Sequence, residues 1–228
     1  MSVLVVAAHA DDEILGCGGV IAKHADQGDD VHILIVAEGI TSRDETRNAG
    51  ARKDEISVLH EAAHNAAFAL GVPSQIFCGL PDNRLDSMPL LDIIKIIEQH
   101  LVEFAPSVVY THHGGDLNVD HRIVHQAVLT ASRPIAGSSV RKIYSFETPS
   151  STEWSKESLG PPFVPNVFVN IEETLPRKME ALRCYDLEMR PFPHSRSYKA
   201  VEALACWRGA ASGMVAAEAF MLIRELAK

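Results

Sequence analysis

The chain has 228 residues, of which 46% are hydrophobic and 22% are charged, and this ordinary globular composition excludes a disordered or low-complexity protein. Its 30 acidic and 21 basic residues give a formal net charge of −9, which argues against a general nucleic-acid binder. The four cysteines are scattered without a CxxC pair, so the chain predicts neither a disulfide framework nor a cysteine zinc site.

The length predicts one domain covering residues 1–228. The longest apolar runs, such as residues 3–8, are far shorter than the roughly 20 residues that a membrane-spanning helix needs. The first residues lack the basic and apolar regions that are typical of a secretory signal, so no such signal is expected. We therefore expect a cytoplasmic protein without stable membrane insertion.

Apolar runs typical of buried strands alternate with helical patterns along about the first 130 residues. The predicted strands cover residues 3–8, 30–37, 74–80 and 107–111, and the predicted helices cover residues 14–25, 46–70, 90–104 and 119–132. Further along lie predicted strands at 142–147 and 166–171, a Ser/Pro-rich loop at 149–165, and helices at 175–188 and 197–228, the last with a break near Gly209. This order predicts the α/β class, as a three-layer α/β/α sandwich with a mostly parallel, Rossmann-like sheet. The apolar end of the last helix, residues 214–226, is predicted to form either the interface of a homo-oligomer or part of the core.

Side chains that bind metals in other proteins follow two of the predicted strands. The first strand runs into HADDE at residues 9–13, and the fourth runs into HHGGD at 112–116 and NVDH at 118–121. In open α/β sheets ligands bind beyond the carboxyl ends of the strands, so a histidine and a carboxylate from one loop and a histidine from the other form an N/N/O set. Three protein ligands with one open position are typical of catalytic zinc. The alternative interpretation is that the aspartates only cap the start of a helix.

The same residues resemble a known family. AHADDE at residues 8–13 is similar to the AHPDDE signature of the PIG-L/LmbE family of zinc-dependent N-acetyl-sugar deacetylases. NVDH at 118–121 stands at the place of that family's HxDH motif, and the residues 66–72 and 80–82 follow the order of the family. The resemblance covers about the first 130 residues, and the two motifs together are specific.

The resemblance implies a role for each matching residue. His9, Asp12 and His121 would bind Zn²⁺, although such a donor set also accepts other divalent metals. Asp11 would act as the general base that deprotonates water and returns the proton to the leaving amine. Asp120 would lie behind the ligands and fix the orientation of a histidine ring.

Two positions depart from the family pattern. Ala10 replaces the usual proline, which removes a backbone restraint but no reacting group. Asn118 stands where the family often has a histidine that supports the oxyanion. Its amide can still donate a hydrogen bond to an oxyanion, but it cannot act as a cation or an acid. His113 is the predicted substitute. Alternatively, His112 and His113 are one buried and one solvent-facing residue of a strand.

Three further residues are predicted on the substrate side. The family often uses an arginine after the second strand, and Arg43 is chosen here over Arg47 and Arg52, with a solvated charge as the alternative. Asp82 is predicted to bind sugar hydroxyls, or else to be an ordinary turn residue. Arg196 lies in a late loop and suits a phosphate or a carboxylate, or else belongs to the surface.

The expected function is that of a metal-dependent hydrolase that removes the N-acetyl group from a small-molecule substrate. The resemblance favours an N-acetylglucosamine-type amino sugar or its nucleotide or glycan conjugate. One alternative is an amidase that acts on a non-sugar amide or a thiol conjugate. A second alternative, suggested by Asn118, is a catalytically silent metal- and sugar-binding protein. A nucleotide-dependent transferase would need a phosphate-binding loop that the sequence does not show.

Overall fold

The computed structural model describes residues 1–73 and 75–227, so Ser74 and Lys228, at the ends of two predicted elements, lie outside the described residues. The strands are β1 (Ser2–Ala7), β2 (Asp30–Ala37), β3 (Gln75–Leu80), β4 (Val108–His112), β5 (Lys142–Phe146), β6 (Val167–Asn170) and β7 (Ala217–Glu225). The helices are α1 (Asp12–Asp26), α2 (Lys53–Ala69), α3 (Leu90–Phe104), α4 (Val119–Ala131), α5 (Leu175–Cys184) and α6 (Tyr198–Ala210). Among these residues, the helices are all too short or too polar to cross a membrane.

The strands form one sheet in the order β3-β2-β1-β4-β5-β7-β6. The first five strands of this order run parallel, and β7 pairs antiparallel with both β5 and β6. Alternate residues of β1 belong to two separate hydrophobic cores. Val3 and Val5 pack with residues of α1, α2 and α5, whereas Leu4 and Val6 pack with residues of α3 and α4. The predicted three-layer sandwich with a mostly parallel sheet is therefore confirmed.

The C-terminal segment differs from the prediction. The predicted helix at 197–228 ends at Ala210, and residues 217–225, most of which are apolar, form the antiparallel strand β7. The chain reverses sharply between the two elements, where a Cβ at Gly209 would lie 2.8 Å from the backbone of Ala216. Alanine, methionine, leucine and glutamate favour helices, but pairing with β5 and β6 overrides this local preference. Because the segment is an internal strand, it no longer supports an oligomer interface, and the homo-oligomer stays a prediction.

The predicted helix at 46–70 begins seven residues later, at Lys53. The residues before it are held by side chains that bind the preceding loop. Arg47 Nε donates to Glu38 Oε1 at 3.0 Å, and Arg52 Nε donates to Asp44 Oδ2 at 3.0 Å. Such contacts from side chain to loop compete with continuation of the helix.

Helix α1 is interrupted at Cys17, whose backbone angles (φ −148°, ψ 23°) are not helical. A buried ion pair replaces the backbone hydrogen bonds lost at this kink. Glu218 accepts hydrogen bonds from Gly19 N and Val20 N, both at 2.8 Å. Lys178 Nζ donates to Leu15 O at 2.9 Å and to Glu218 Oε1 at 2.7 Å. The pair therefore stabilises the helix that begins with the DDE motif.

Replacing Glu218 by alanine is expected to lower the free energy of unfolding by about 3–5 kcal/mol, because the buried Lys178 charge loses its partner. Urea denaturation of the variant and the wild type measures this loss. Arg177→Ala is the matched control, since Arg177, the neighbour of Lys178 in α5, forms a solvent-accessible ion pair with Asp26 of α1. The control is expected to cost about 1 kcal/mol or less. Equal losses in the two variants would show that the buried pair has no special role.

Candidate active site

The loops after β1 and β4 meet at the carboxyl edge of the sheet, because these strands are parallel neighbours with Val6 paired to Thr111. The loop after β1 carries His9 and leads into α1, whose first residue is Asp12. The loop after β4 leads into α4, whose first turn contains His121. The sheet order therefore brings the two motifs together.

His9, Asp12 and His121 form a compact N/N/O set. His9 Nδ1 and His121 Nε2 each lie 3.1 Å from Asp12 Oδ2, and one possible ligand atom of each side chain lies within 4.8 Å of the other two. Asp12 Oδ1 is buried and has no hydrogen-bond partner among the described residues, which is expected where a cation would complete the site. Zinc and similar divalent cations use this donor set, so the residues fit such a metal.

The surrounding charges favour a positive charge at this place. Burial raises the pKa of Asp12, but the charges of His121 and His112 hold it well below its usual range. Burial lowers the pKa of His121, but the carboxylates of Asp12 and Asp116 raise it to about 9. A cation bound between these groups would take the place of the proton that the raised pKa otherwise keeps on His121.

Two further carboxylates orient the histidine rings. Asp120 Oδ2 lies 3.2 Å from His9 Nε2, so Asp120 stands behind a predicted ligand, as the resemblance implies. Asp116 Oδ1 lies 3.1 Å from His121 Nδ1. Such carboxylate–histidine pairs fix the ring and its tautomer in metal sites. Asp116 had no predicted role, although it lies in the loop between β4 and α4 that leads to the predicted residues Asp120 and His121.

Asp11 is held in an unusual conformation at the start of α1. Its φ of 112° lies in a region that side chains rarely adopt and that typically costs about 1–3 kcal/mol. The contact from Asp11 N to Glu13 Oε2 (3.0 Å) helps to hold it, and Tyr185 Oη in turn donates to Glu13 Oε1 at 2.6 Å. Strained residues that the surroundings hold in place are often functional.

The Asp11 carboxylate is suited to take up a proton. Burial raises its pKa to about 7, although the charge of Arg196 opposes this shift. Arg196 Nη1 donates to Asp11 Oδ2 at 3.0 Å, and Arg196 Nε donates to Ser150 Oγ at 3.0 Å. A carboxylate with a pKa near neutrality is a suitable general base at physiological pH.

Asp11 opens onto a cavity of about 540 Å³ that His9 and His121 also line. Of the three candidate arginines, Arg43 lines this cavity, where its Nη2 donates to Glu188 Oε1 at 2.6 Å. Arg47 and Arg52 instead bind acidic residues of the preceding loop. The structure thus places the chosen arginine at the cavity.

Asp82 also lines the cavity, but both of its oxygens already contact the protein. Asp82 Oδ2 accepts a hydrogen bond from Ser42 N at 3.0 Å. Its Oδ1 lies 3.3 Å from His9 Nε2 and accepts a hydrogen bond from Asn83 Nδ2 at 3.0 Å. Through these contacts Asp82 supports the His9 ring and the neighbouring turn.

Of the two predicted oxyanion residues, Asn118 lines the cavity and His113 does not. Asn118 caps α4, because its Oδ1 accepts from Asp120 N at 2.8 Å, while its Nδ2 donates to Asn83 Oδ1 at 2.9 Å. His113 does not line the cavity, and its Nε2 lies 2.8 Å from Pro161 O. The structure therefore does not bring His113 to the reacting groups.

The alternative for the histidine pair, one buried and one solvent-facing, is also wrong, because both rings are buried. His112 is the histidine next to the N/N/O set. It stacks on His121 with ring centroids 3.8 Å apart, and its Nε2 accepts a hydrogen bond from Ala8 N at 2.8 Å. The rings of His121 and Phe146 cover His112, and Pro161 and Phe163 of the 149–165 loop cover His113.

Comparison with known proteins agrees with this geometry. Residues 4–132 match the PIG-L family, described as GlcNAc-PI de-N-acetylase. The chain is 34% identical over 187 residues to the uncharacterized deacetylase YaiS of Escherichia coli K12, with 79% of this chain and 88% of that protein covered. It is 28% identical over 273 aligned positions to 1D-myo-inositol 2-acetamido-2-deoxy-alpha-D-glucopyranoside deacetylase 1 of Saccharopolyspora erythraea, with 96% of this chain and 88% of that protein covered.

The fold also agrees with solved structures. The 4-carboxy-2-hydroxymuconate hydratase GalB of Pseudomonas putida KT2440 superimposes with a TM-score of 0.77 at 22% identity, over 100% of this chain and 98% of that chain. At this identity the likeness concerns the fold alone. The matched residues 4–132 contain both motifs of the N/N/O set. The resemblance seen in the sequence is thereby confirmed, and the chain belongs to the PIG-L family of deacetylases.

Proposed function

We propose that the protein is a metal-dependent hydrolase that removes the N-acetyl group from an N-acetylglucosamine-type amino sugar or its nucleotide or glycan conjugate. The observation that carries the proposal is a buried carboxylate, Asp11, that opens onto the same cavity as the N/N/O set. The curated Saccharopolyspora relative, whose name includes a 2-acetamido-2-deoxy-glucopyranoside, supports the substrate class. The cytoplasmic location and the identity of the metal as zinc stay predictions.

His9, Asp12 and His121 would hold the metal, which supplies polarisation of an amide carbonyl and acidification of water when bound. Asp11 accepts the proton of the water molecule that adds to the acetamide carbonyl carbon. When the C–N bond breaks, Asp11 returns this proton to the amine nitrogen, and acetate is the second product. Asp120 and Asp116 hold the two imidazole rings in place during these steps.

Arg196 is the residue that holds Asp11 in our proposal. Because its guanidinium donates to Asp11 Oδ2, it favours the ionised carboxylate and fixes the oxygen that takes the proton. Arg43 and Glu188 form an ion pair at the wall of the same cavity. We propose that polar groups of the substrate contact this pair and Asp82.

The test measures amine release from N-acetylglucosamine, N,N′-diacetylchitobiose and UDP-N-acetylglucosamine by zinc-loaded and chelator-treated protein. Metal-dependent release from a sugar supports the proposal. Release only from acyclic N-acetyl amides or from amides of thiol conjugates would favour the amidase alternative. A protein that binds metal and sugar but releases no amine from any compound would be the silent binding protein.

A hydratase is a second candidate, because GalB has the same fold and fold alone does not determine the reaction. The panel therefore includes an unsaturated dicarboxylate whose hydration is followed by absorbance. Loss of that absorbance without amine release from any amide would contradict the deacetylase proposal.

Replacing Arg196 by alanine is expected to lower kcat/KM by about 10- to 100-fold, because a hydrogen bond between charged groups contributes about 1.5–3 kcal/mol. Steady-state kinetics with the best substrate of the panel measure the loss. Added guanidinium ion is expected to restore part of the activity, since it can occupy the vacated volume beside Asp11. Arg190→Ala is the control, because Arg190 also lines the cavity but donates to backbone oxygens of Leu187 and Met189. Equal losses of kcat/KM in Arg196→Ala and Arg190→Ala, without rescue by guanidinium ion, would contradict a specific role of Arg196.

A further inference from the structure

One aromatic residue at the cavity has no role in the chemistry described above. Trp154 ends the short 3-10 turn Thr152–Trp154 in the loop at 149–165, and 47% of its surface stays exposed. Apart from the histidine rings, it is the one aromatic side chain that lines this cavity within residues 1–73 and 75–227. Most of the remaining lining residues carry carboxylate, guanidinium, hydroxyl or amide groups, and the apolar side chains among them, Ala10, Leu117 and Val119, are aliphatic.

The turn that carries Trp154 is anchored to the proposed metal site. Thr152 Oγ1 donates to Asp116 Oδ2 at 2.5 Å, and Ser151 Oγ donates to the other oxygen of the same carboxylate. Asp116 Oδ1 also lies 3.1 Å from His121 Nδ1. One carboxylate thus positions both a predicted ligand and the turn of the indole. The position of Trp154 relative to the reacting groups is therefore set by a short chain of contacts.

The indole is also supported from the side. The His194 ring meets Trp154 edge to face, with centroids 5.6 Å apart and an angle of 83° between the planes. Glu153 Oε1 accepts a hydrogen bond from Ser150 N at 2.8 Å and holds the start of the turn. About half of the indole nevertheless remains open to solvent, although burial of aromatic surface would be favourable. A ligand with an apolar face of its own would cover it.

We propose that Trp154 is the platform on which the pyranose ring of the substrate lies. The C–H face of a sugar ring matches an aromatic face, while the hydroxyls around its rim match the polar walls of the cavity. This inference rests on the proposed function and narrows it to ring-bearing substrates. An acyclic amide or a linear dicarboxylate presents no such face and would gain little from the indole.

The chain has two tryptophans, Trp154 and Trp207, so a spectroscopic test is straightforward. In the double variant Asp11→Asn, Trp207→Phe, the fluorescence reports Trp154 alone and the ligand is not consumed. Titration with N-acetylglucosamine and N,N′-diacetylchitobiose is expected to change the emission saturably. N-Methylacetamide, the acyclic control, is expected to leave it unchanged. A response to the acyclic amide as large as that to the sugars would overturn the inference.

Kinetics provide an independent readout. Trp154→Ala is expected to raise KM for the sugar about 3- to 10-fold and to leave kcat within about twofold, because aromatic stacking contributes mainly to binding. Trp154→Phe is expected to restore most of the affinity. Trp207→Ala removes a tryptophan that lines another groove and should leave KM unchanged. An unchanged KM in Trp154→Ala would overturn the inference even if the deacetylase activity is present.

The two proposals fail in distinguishable ways. Sugar deacetylation without a Trp154 signal or a change in KM contradicts the platform and leaves the proposed function in place. A saturable Trp154 signal from sugars in a protein that releases no amine supports the platform and contradicts the hydrolase. If the panel sugars give neither activity nor a signal, the platform is wrong as well.

Discussion

Asp11→Asn is expected to lower kcat by about 10²- to 10⁴-fold, the usual contribution of a general base. Asparagine has the same shape as aspartate and tolerates a positive φ, so the strained turn at the start of α1 should persist. Its Oδ1 can still accept a hydrogen bond from Arg196, but an amide cannot take a proton from water. The measurement is amine release at saturating substrate, together with metal content and thermal unfolding of both proteins.

The matched control is Glu188→Gln, which makes the same chemical change at another carboxylate of the cavity. Glu188 pairs with Arg43 and takes no proton in the proposed mechanism, so its kcat should fall by less than about tenfold, consistent with a partly exposed ion pair. If the activity of Asp11→Asn stays within about threefold of the wild-type value, the base lies elsewhere. If Asp11→Asn and Glu188→Gln lose activity equally, the activity depends on the negative charge in the cavity and not on Asp11 as the proton acceptor.

Loss of the metal is expected to abolish the activity. Asp12→Ala and His121→Ala each remove one donor of the N/N/O set, and both should reduce the metal content from about one ion per chain to well below half. Inductively coupled plasma mass spectrometry of dialysed protein measures this directly. Chelation of the wild type should lower both the activity and the melting temperature, since a metal that binds only the folded state stabilises it.

His113→Ala is the control for these variants. His113 follows the last residue of β4 but contacts Pro161 O and the Phe163 ring instead of the N/N/O set. The metal content of the His113→Ala protein should therefore equal that of the wild type. A His121→Ala protein that keeps its full metal content after dialysis would contradict the assigned ligands. The assigned ligands would be supported if added zinc restores the melting temperature of the chelated wild type but does not restore that of Asp12→Ala.

Much of the site follows from local sequence. An apolar run of six residues needs cover on both faces, which indicates a central strand of a parallel sheet, and β1 has this position. The motif residues directly after β1 and in the first turn of α4 then lie at the carboxyl edge for purely geometric reasons. The family motifs added the choice of His9, Asp12 and His121, and the structure places these three side chains together.

The sequence alone could not determine the contacts between distant segments. Arg196 and Asp11 are 185 residues apart, and Trp154 reaches the cavity through a turn whose hydroxyls bind Asp116. No local pattern predicts such pairs, because the packing of a whole loop decides which polar side chains meet. β7 is the clearest case, since its residues favour a helix locally and become a strand by pairing with β5 and β6. The sequence thus determined the parallel part of the sheet and the metal-binding motifs through periodicity and strand ends. Only the tertiary structure decided the surroundings of the base and the wall of the cavity, because these depend on long-range packing.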